Sequence, residues 1–416
     1  MERTEIPVLA DRLNDRNCPN PGFRTTPKLG MILGLLLIWA PQSQASKNRF
    51  LTEVPDYDWW RGCFGTATGN LMGYWDRHGM DRFYTGPTTG GVAPLDSGAS
   101  HGGIRSMWAS RAGFDGRPAN KPGHDDDYWI GYEDTDSDPW EGSGRPEHEP
   151  DCIGDFIGLN QLKWSNLNGE CAGNVDGYVF TFWDATAERR WNFTPPALDG
   201  QPVRDVPSGL AAWTRYRGSE CETFSQLAEI NPEVPVGKGF TYDDLVREIE
   251  AGYPVLLFLQ DTHAKSRPVG PIPNANPSLH GILAYGYYAE GTQKYVRLRD
   301  SWAGGDNRFC SWMPGAWLAD LPLRGVIGYH PKPKITQYTR NTDSITLAWE
   351  GPASVIFDSN TGTTTPVHNY VVEQASVTDP THFTAITPSS PNHSATVPIK
   401  GLESSLLRIR LTAGGN

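Results

Sequence analysis

The chain has 416 residues, with 15 Trp, 16 Tyr, 15 Phe and 38% hydrophobic residues, enough for two or three folded domains. Its formal charge of -12 argues against a nucleic-acid binder and against adsorption to anionic lipid. Gly 45 and Pro 34 point to many turns and long loops rather than a helical bundle.

The first organised stretch is KLGMILGLLLIWAPQSQAS, residues 28–46. Lys28 precedes an apolar run from Met31 to Ala40, and Ser43-Gln44-Ala45 supplies small residues for cleavage. That is the pattern of an export signal. The run is too short to span a bilayer, so residues 1–45 read as a leader with signal peptide. A secreted, periplasmic or cell-surface protein with no stable membrane span is expected.

Next comes GCFGTATGNLMGYWDRHG, residues 62–79. Phe64, Leu71, Tyr74 and Trp75 give it apolar bulk to bury, and Gly79 is a plausible stop. Gly65, Gly69 and Gly73 weaken a helix by roughly 1 kcal/mol each relative to alanine. Four apart, they form one smooth stripe that admits another backbone. Cys63 stands at the N-terminal end, where unpaired N–H groups and the helix dipole favour a thiolate.

The segment 124–151, HDDDYWIGYEDTDSDPWEGSGRPEHEPD, lacks the glycine and terminal glutamate of an EF-hand loop. It reads as a solvated acidic loop, with a calcium site as the alternative. No CxxC or HxxxH spacing offers another metal site, and no cofactor is implied.

TYDDLVREIEAGY, residues 241–253, predicts a helix. Thr241 and Asp244 form a capping box, Leu245 and Ile249 share a face, and Gly252 ends it. PVLLFLQ, 254–260, predicts a strand buried on both faces. Strands follow at 279–288 and 294–301, joined by AEG with Gly291 at the position that needs a left-handed residue. Centring that turn on Glu290 places His280 opposite Asp300. An imidazole beside a carboxylate is the base and its orienting partner that a cysteine nucleophile requires. Trp302 is placed to cover the pair.

Six cysteines become five once Cys18 leaves with the leader. An odd count in an exported chain suggests two disulfides among Cys152, Cys171, Cys221 and Cys310, with the pairing open and Cys63 unbridged.

Beyond His330, PKPK marks a linker, and short alternating runs follow: SITLAW, ASVIFD, NYVVEQA, HFTAI, SATVPI and LLRIRLTA. Short strands with frequent turns predict a β-sandwich over 331–416. ITLAWEGP, with its strand-borne tryptophan, and KGLESSLLRIRLTA make this segment resemble a fibronectin type III or Ig-like module. A cell-surface or carbohydrate ligand is one role for such a module.

The order Cys63, His280, Asp300 and the segment RDSWAGG (299–305) resemble the papain-like cysteine peptidases. GC-x-x-T-A leading to YWD-x-x-G, AGYPVLL, and H-G-x-x-x-x-GY are similar to their bacterial C39-like branch. The resemblance implies an α+β fold: a papain-like peptidase domain over 46–330, followed by the small β-sandwich. It also implies a glutamine five or six residues before the nucleophile as oxyanion donor. Asp58 and Tyr57 stand there instead, so either Asp58 is protonated or the Tyr57 hydroxyl or the Trp59 indole is expected to substitute, with the Cys63 amide as second donor.

The expected activity is hydrolysis of peptide bonds in peptide or protein substrates through an acyl-enzyme on Cys63. An acyltransferase or transglutaminase-like enzyme uses the same residues. A binding or adhesion protein that keeps the peptidase shell is the alternative from another class.

Overall fold

The computed structural model describes residues 46–59, 63–84, 91–97, 153–157, 181–196, 205–260, 279–302, 308–318, 321–400, 402 and 404–413. The leader, the acidic segment 124–151, Cys152 and Cys171 lie outside the described residues.

In chain order the first part carries β1 (Lys47–Leu51), α1 (Cys63–Arg77), α2 (Ile153–Ile157), β2 (Arg190–Trp191), α3 (Val206–Tyr216) and β3 (Cys221–Leu227). Then come α4 (Tyr242–Glu250), β4 (Val255–Gln260), β5 (Leu279–Glu290), β6 (Gln293–Arg299), β7 (Arg308–Ser311), β8 (Ala316–Leu318) and β9 (Leu321–Pro331). The last part is all strand: β10 (Lys334–Arg340), β11 (Ser344–Glu350), β12 (Val355–Asp358), β13 (Thr363–Pro366), β14 (His368–Ser376), β15 (Asp379–Ala385), β16 (Ser394–Pro398) and β17 (Ser405–Ala413).

The α+β papain-like architecture is not what forms. Strand makes up 46% of the described residues and helix 16%, and the body is an 11-stranded sheet with the order β13-β12-β1-β5-β4-β9-β3-β2. β6, β7 and β8 attach beside that path. The motifs around Cys63 and His280 dictate local geometry only. The Val-, Ile- and Phe-rich runs between and after them set the layers, and those runs pair with one another.

Past residue 331 the chain forms two three-stranded sheets, β10-β11-β16 and β15-β14-β17, over a small core that includes Leu347, Trp349, Tyr370, Val372 and Val397. The β12–β13 hairpin leaves this sandwich and joins the large sheet, where β12 pairs antiparallel with β1. β1 in turn pairs with β5, so the first strand after the leader lies between body and C-terminal part.

The helices form where their caps and apolar faces direct. In α4, Thr241 accepts the Asp244 amide, and the Asp244 carboxylate accepts the Thr241 amide. On α1, Phe64, Leu71, Tyr74 and Trp75 are wholly buried, each side chain contributing about 1.5–3 kcal/mol. Phe64 packs on Phe258 of β4 with ring centroids 4.6 Å apart, and the Tyr74 hydroxyl donates to the Gly252 carbonyl at 3.3 Å. α1 thus runs antiparallel to β4, with its N-terminus over the C-terminal half of that strand. Among the described residues no helix is long and apolar enough to cross a membrane.

Candidate active site

The site is built where β6 leaves β5. Residues 279–284 of β5 pair with β4, but pairing with β6 ends at Leu283 opposite Arg299. The edge of β5 at Gly281 is therefore open to side chains. The Gly281 amide donates to Cys63 Sγ at 3.3 Å, and the Gly281 carbonyl accepts Ser301 Oγ–H at 2.8 Å. A side chain at 281 is impossible here, because its Cβ would lie 2.7 Å from the Phe64 ring. Glycine after His280 is what admits the start of α1 to the strand.

Cys63 opens α1, is 2% exposed and belongs to no disulfide. A hydrogen bond from a peptide N–H and the adjacent helix terminus both favour negative charge on its sulfur. The amide it meets is part of the peptide joining His280 to Gly281, so the thiol of α1 is held against the backbone that carries the imidazole.

His280 is buried, and its Nε2 lies 2.8 Å from the main-chain carbonyl of Asp300. A carbonyl only accepts, so Nε2 carries the proton and Nδ1 carries the lone pair. Nδ1 has no hydrogen-bond partner among the described residues, which leaves it as a base. Burial, with a smaller contribution from Arg308, pushes the imidazole down to about 4. The ring of Trp302 stacks on it at 5.5 Å and 18°.

The hairpin register differs from the one expected. The turn is the two-residue Gly291-Thr292, with Gly291 at φ 58, so Glu290 pairs with Gln293. A bulge between Ala284 and Gly286 shifts the pairing again. His280 is consequently not opposite Asp300 in the ladder, and the Asp300 carboxylate does not hold the ring. Its Oδ1 accepts the Trp302 amide at 3.0 Å, and its Oδ2 lies 2.7 Å from Arg308 Nε. Burial raises this carboxyl while Arg308 opposes the shift. The carboxylate builds a turn, and the turn presents the carbonyl. Ser301 at its centre is wholly buried with φ 66, a left-handed backbone that an ordinary residue adopts only under constraint.

The expected oxyanion donor at Tyr57 is otherwise engaged. Its hydroxyl donates to the Pro94 carbonyl at 2.9 Å, its amide donates to Asn70 Oδ1 at 2.9 Å, and the side chain is wholly buried. The Asp58 amide donates to Ser97 Oγ at 2.6 Å, and its carboxylate has no N–H to offer. Trp59 is half-buried against the core. Nearby Asp56, pushed up to about 6 by burial, pairs with Arg299 at 3.1 Å.

Cys221 is the cysteine that departs from the disulfide scheme. It is a free thiol on β3, which pairs with β9, whereas Cys310 lies on β7 at the far side of β6. Strand order separates the two. The Cys221 sulfur lies against Thr214 and Tyr329, and burial pushes the thiol up to about 11. Cys310 is disulfide-bonded. Among the described residues, no three His, Cys, Asp or Glu side chains are grouped to hold a metal ion.

Sequence reasoning missed Ser301, Arg308 and the Gly281 amide. The H-G dipeptide signalled the last, through the close approach that only glycine allows. Nothing in the pattern marked a left-handed Ser301. No family model matches the chain, and no curated protein matches it.

Proposed function

We propose that the protein is an exported cysteine peptidase with Cys63 as nucleophile and His280 as acid and base. The observation that carries this is the pairing of a sulfur bonded to the Gly281 amide with an imidazole whose Nε2 is tied to a carbonyl. Such an imidazole has one nitrogen committed to orientation and the other open for proton transfer.

In this reading the resting imidazole is neutral, because burial holds it near 4. Nδ1 takes the thiol proton as Sγ attacks the scissile carbonyl carbon. The adduct collapses, the C–N bond breaks, and the same proton passes to the leaving amine. Water then gives a proton to Nδ1 and attacks the thioester, releasing the carboxylic acid and restoring the thiol. Peptide bonds are assigned as the substrate from the C39-like motifs at 62–79, 251–257 and 280–287. Export rests on the apolar run at 31–40.

The commitment of Tyr57 and the replacement of glutamine by Asp58 favour a second reading, a binding protein with a weak or silent site. Incubating the chain from residue 46 with a peptide library separates the two. The expected result is cleavage by the wild type, none by Cys63→Ala, and equal melting temperatures. Cleavage by Cys63→Ala, or no cleavage by either protein, removes the peptidase reading.

A further inference from the structure

We infer that the junction between the body and the C-terminal part holds a binding site for a small amine, a primary ammonium group carried on an apolar body. The inference stands apart from the peptidase reading, because it shares no residue with the site around Cys63. A cavity of about 450 Å³ opens where β12, β13, β14, β17 and the end of α4 meet. Ligand pockets span about 300–1,000 Å³, and the boundary between two folded parts is a usual place for one.

Register builds the charged wall. Arg49 of β1 stands opposite Asp358 of β12 and Tyr287 of β5, so the three side chains share one face of the large sheet. The end of α4 lies over that row. Arg49 Nε donates to Asp358 Oδ2 at 2.9 Å, and its Nη1 donates to Glu250 Oε2 at 2.6 Å. The Tyr287 hydroxyl donates to Glu250 Oε1. Ile356 precedes Asp358 by two residues and so lies on the same face, opposite Thr365 of β13. With Tyr253, Val367 and Leu411 it makes the apolar wall.

Charge decides what fits. Two carboxylates meet one guanidinium, which leaves one negative charge, and α4 ends at Glu250 with the negative end of its dipole. Arg247, the other cation of that last turn, is paired with Asp244 at 2.6 Å. His368 also lines the cavity, but the Ala251 carbonyl and the Ser354 amide take both ring nitrogens, and burial keeps the ring neutral. The Arg49 and Glu250 side chains are each 32% exposed, so the pair is presented at the surface of the cavity and not sealed beneath it. A carboxylate has about four acceptor sites, which leaves Glu250 free capacity for an ammonium ion. The apolar body of the amine then displaces water from Ile356, Val367 and Leu411. An organic anion would meet the surplus carboxylate instead.

The test is calorimetric titration of the purified protein at neutral pH with 2-phenylethylamine, 3-phenylpropionate and ethylamine. 2-Phenylethylamine is expected to bind. 3-Phenylpropionate, which lacks the cation, and ethylamine, which lacks the apolar body, should bind far more weakly. Glu250→Gln removes the charge and should weaken 2-phenylethylamine binding by about 10–100-fold. Thr365→Trp changes a half-buried position on β13, at the edge of the sheet. It fills the cavity without altering any charge and should abolish binding at an unchanged melting temperature, so the test survives if Glu250→Gln does not fold. The inference is overturned if 2-phenylethylamine does not bind or if 3-phenylpropionate binds as tightly. Wild-type affinity in folded Glu250→Gln or in folded Thr365→Trp overturns it as well.

Discussion

Two buried histidines, one where α1 meets β5 and one where the C-terminal part meets the body, are alike in almost everything but their bonds. His280 is held by a carbonyl, and so is His368, whose Nε2 donates to Ala251 O at 2.9 Å. Burial pushes both down to about 4. The difference is at Nδ1. In His368 it accepts the Ser354 amide at 3.2 Å, so both ring nitrogens are committed to the junction. In His280 it has no hydrogen-bond partner among the described residues, and the amide of the next residue donates to the Cys63 sulfur. A depressed pKa alone therefore does not mark a catalytic histidine. In the proposed reading it is the open Nδ1, in a ring attached to the peptide that holds the Cys63 sulfur, that sets His280 apart.

The strongest way to break that comparison is to remove each ring in turn. His280→Ala should lower the rate at least 10²–10⁴-fold, the range of general acid–base assistance, while the melting temperature changes little. His368→Ala should do the opposite. It strands the Ala251 carbonyl and the Ser354 amide in the interior, which destabilises by about 2–4 kcal/mol, and the rate per folded molecule should hold. Thermal melts and initial rates on both variants decide the matter. A His368→Ala protein with normal stability and a lost rate would reverse the two roles.

How much of this was legible in the sequence follows from which interactions are local. The α4 cap, the apolar strand β4 and the strand pair β5–β6 are written in neighbouring residues, and they form. The helix start at Cys63 is written locally too, whereas the close approach at Gly281 shows only once α1 and β5 are brought together. The Asp300 role was not legible, because it depends on a one-residue bulge near Tyr285 that no turn residue marks. The sandwich hairpin β12–β13 was read as part of a separate module. Its partner β1 lies some three hundred positions away, and only long-range pairing reveals that ASVIFD completes the edge beside Lys47–Leu51. The layer composition was lost for the same reason: motif spacing carries no information on which strands pair.

A finer test separates carboxylate from carbonyl at Asp300. Because its main-chain oxygen holds His280, Asp300→Asn should retain most activity. The asparagine oxygen still accepts the Trp302 amide, and only the contact with Arg308 weakens. Asp300→Ala should cost more, though less than about 100-fold, the penalty of displacing a reacting group by roughly 1 Å. Arg308→Gln should resemble Asp300→Asn. The informative readout is the ¹⁵N spectrum of the His280 ring, which reports the tautomer directly. Retention of the Nε2–H form in Asp300→Asn supports carbonyl control. Its loss there, with the fold intact, returns the orienting role to the carboxylate.

The smallest expected effect is the dependence of rate on pH, and its sign follows from the burial of His280. The ring's pKa lies near 4 in the folded protein against 6.5 ordinarily, so the base stays neutral through the mildly acidic range. The acid limb of kcat/KM should fall near pH 4, and the change between pH 7 and 5 should be less than about twofold. An exposed histidine would lose most of its activity over the same interval. Stability is a poorer readout. The unfolded chain takes up the protons of His280 and His368 first, so their share of stability is full above about 6.5 and is lost as pH falls toward 4. Asp56, Asp76 and Asp205, raised to about 6 by burial, act in the other direction. Their share is full below 3.8 and is lost as pH rises through 6. The two sets oppose each other between pH 4 and 6, and a melting curve sees only the remainder. The rate sees His280, with Asp56 near pH 6 and the raised Asp300 carboxyl as the nearby groups that gain charge as pH rises. A rate that halves near pH 6.5 would mean a solvated imidazole, and the contrast with His368 would then have no basis in burial.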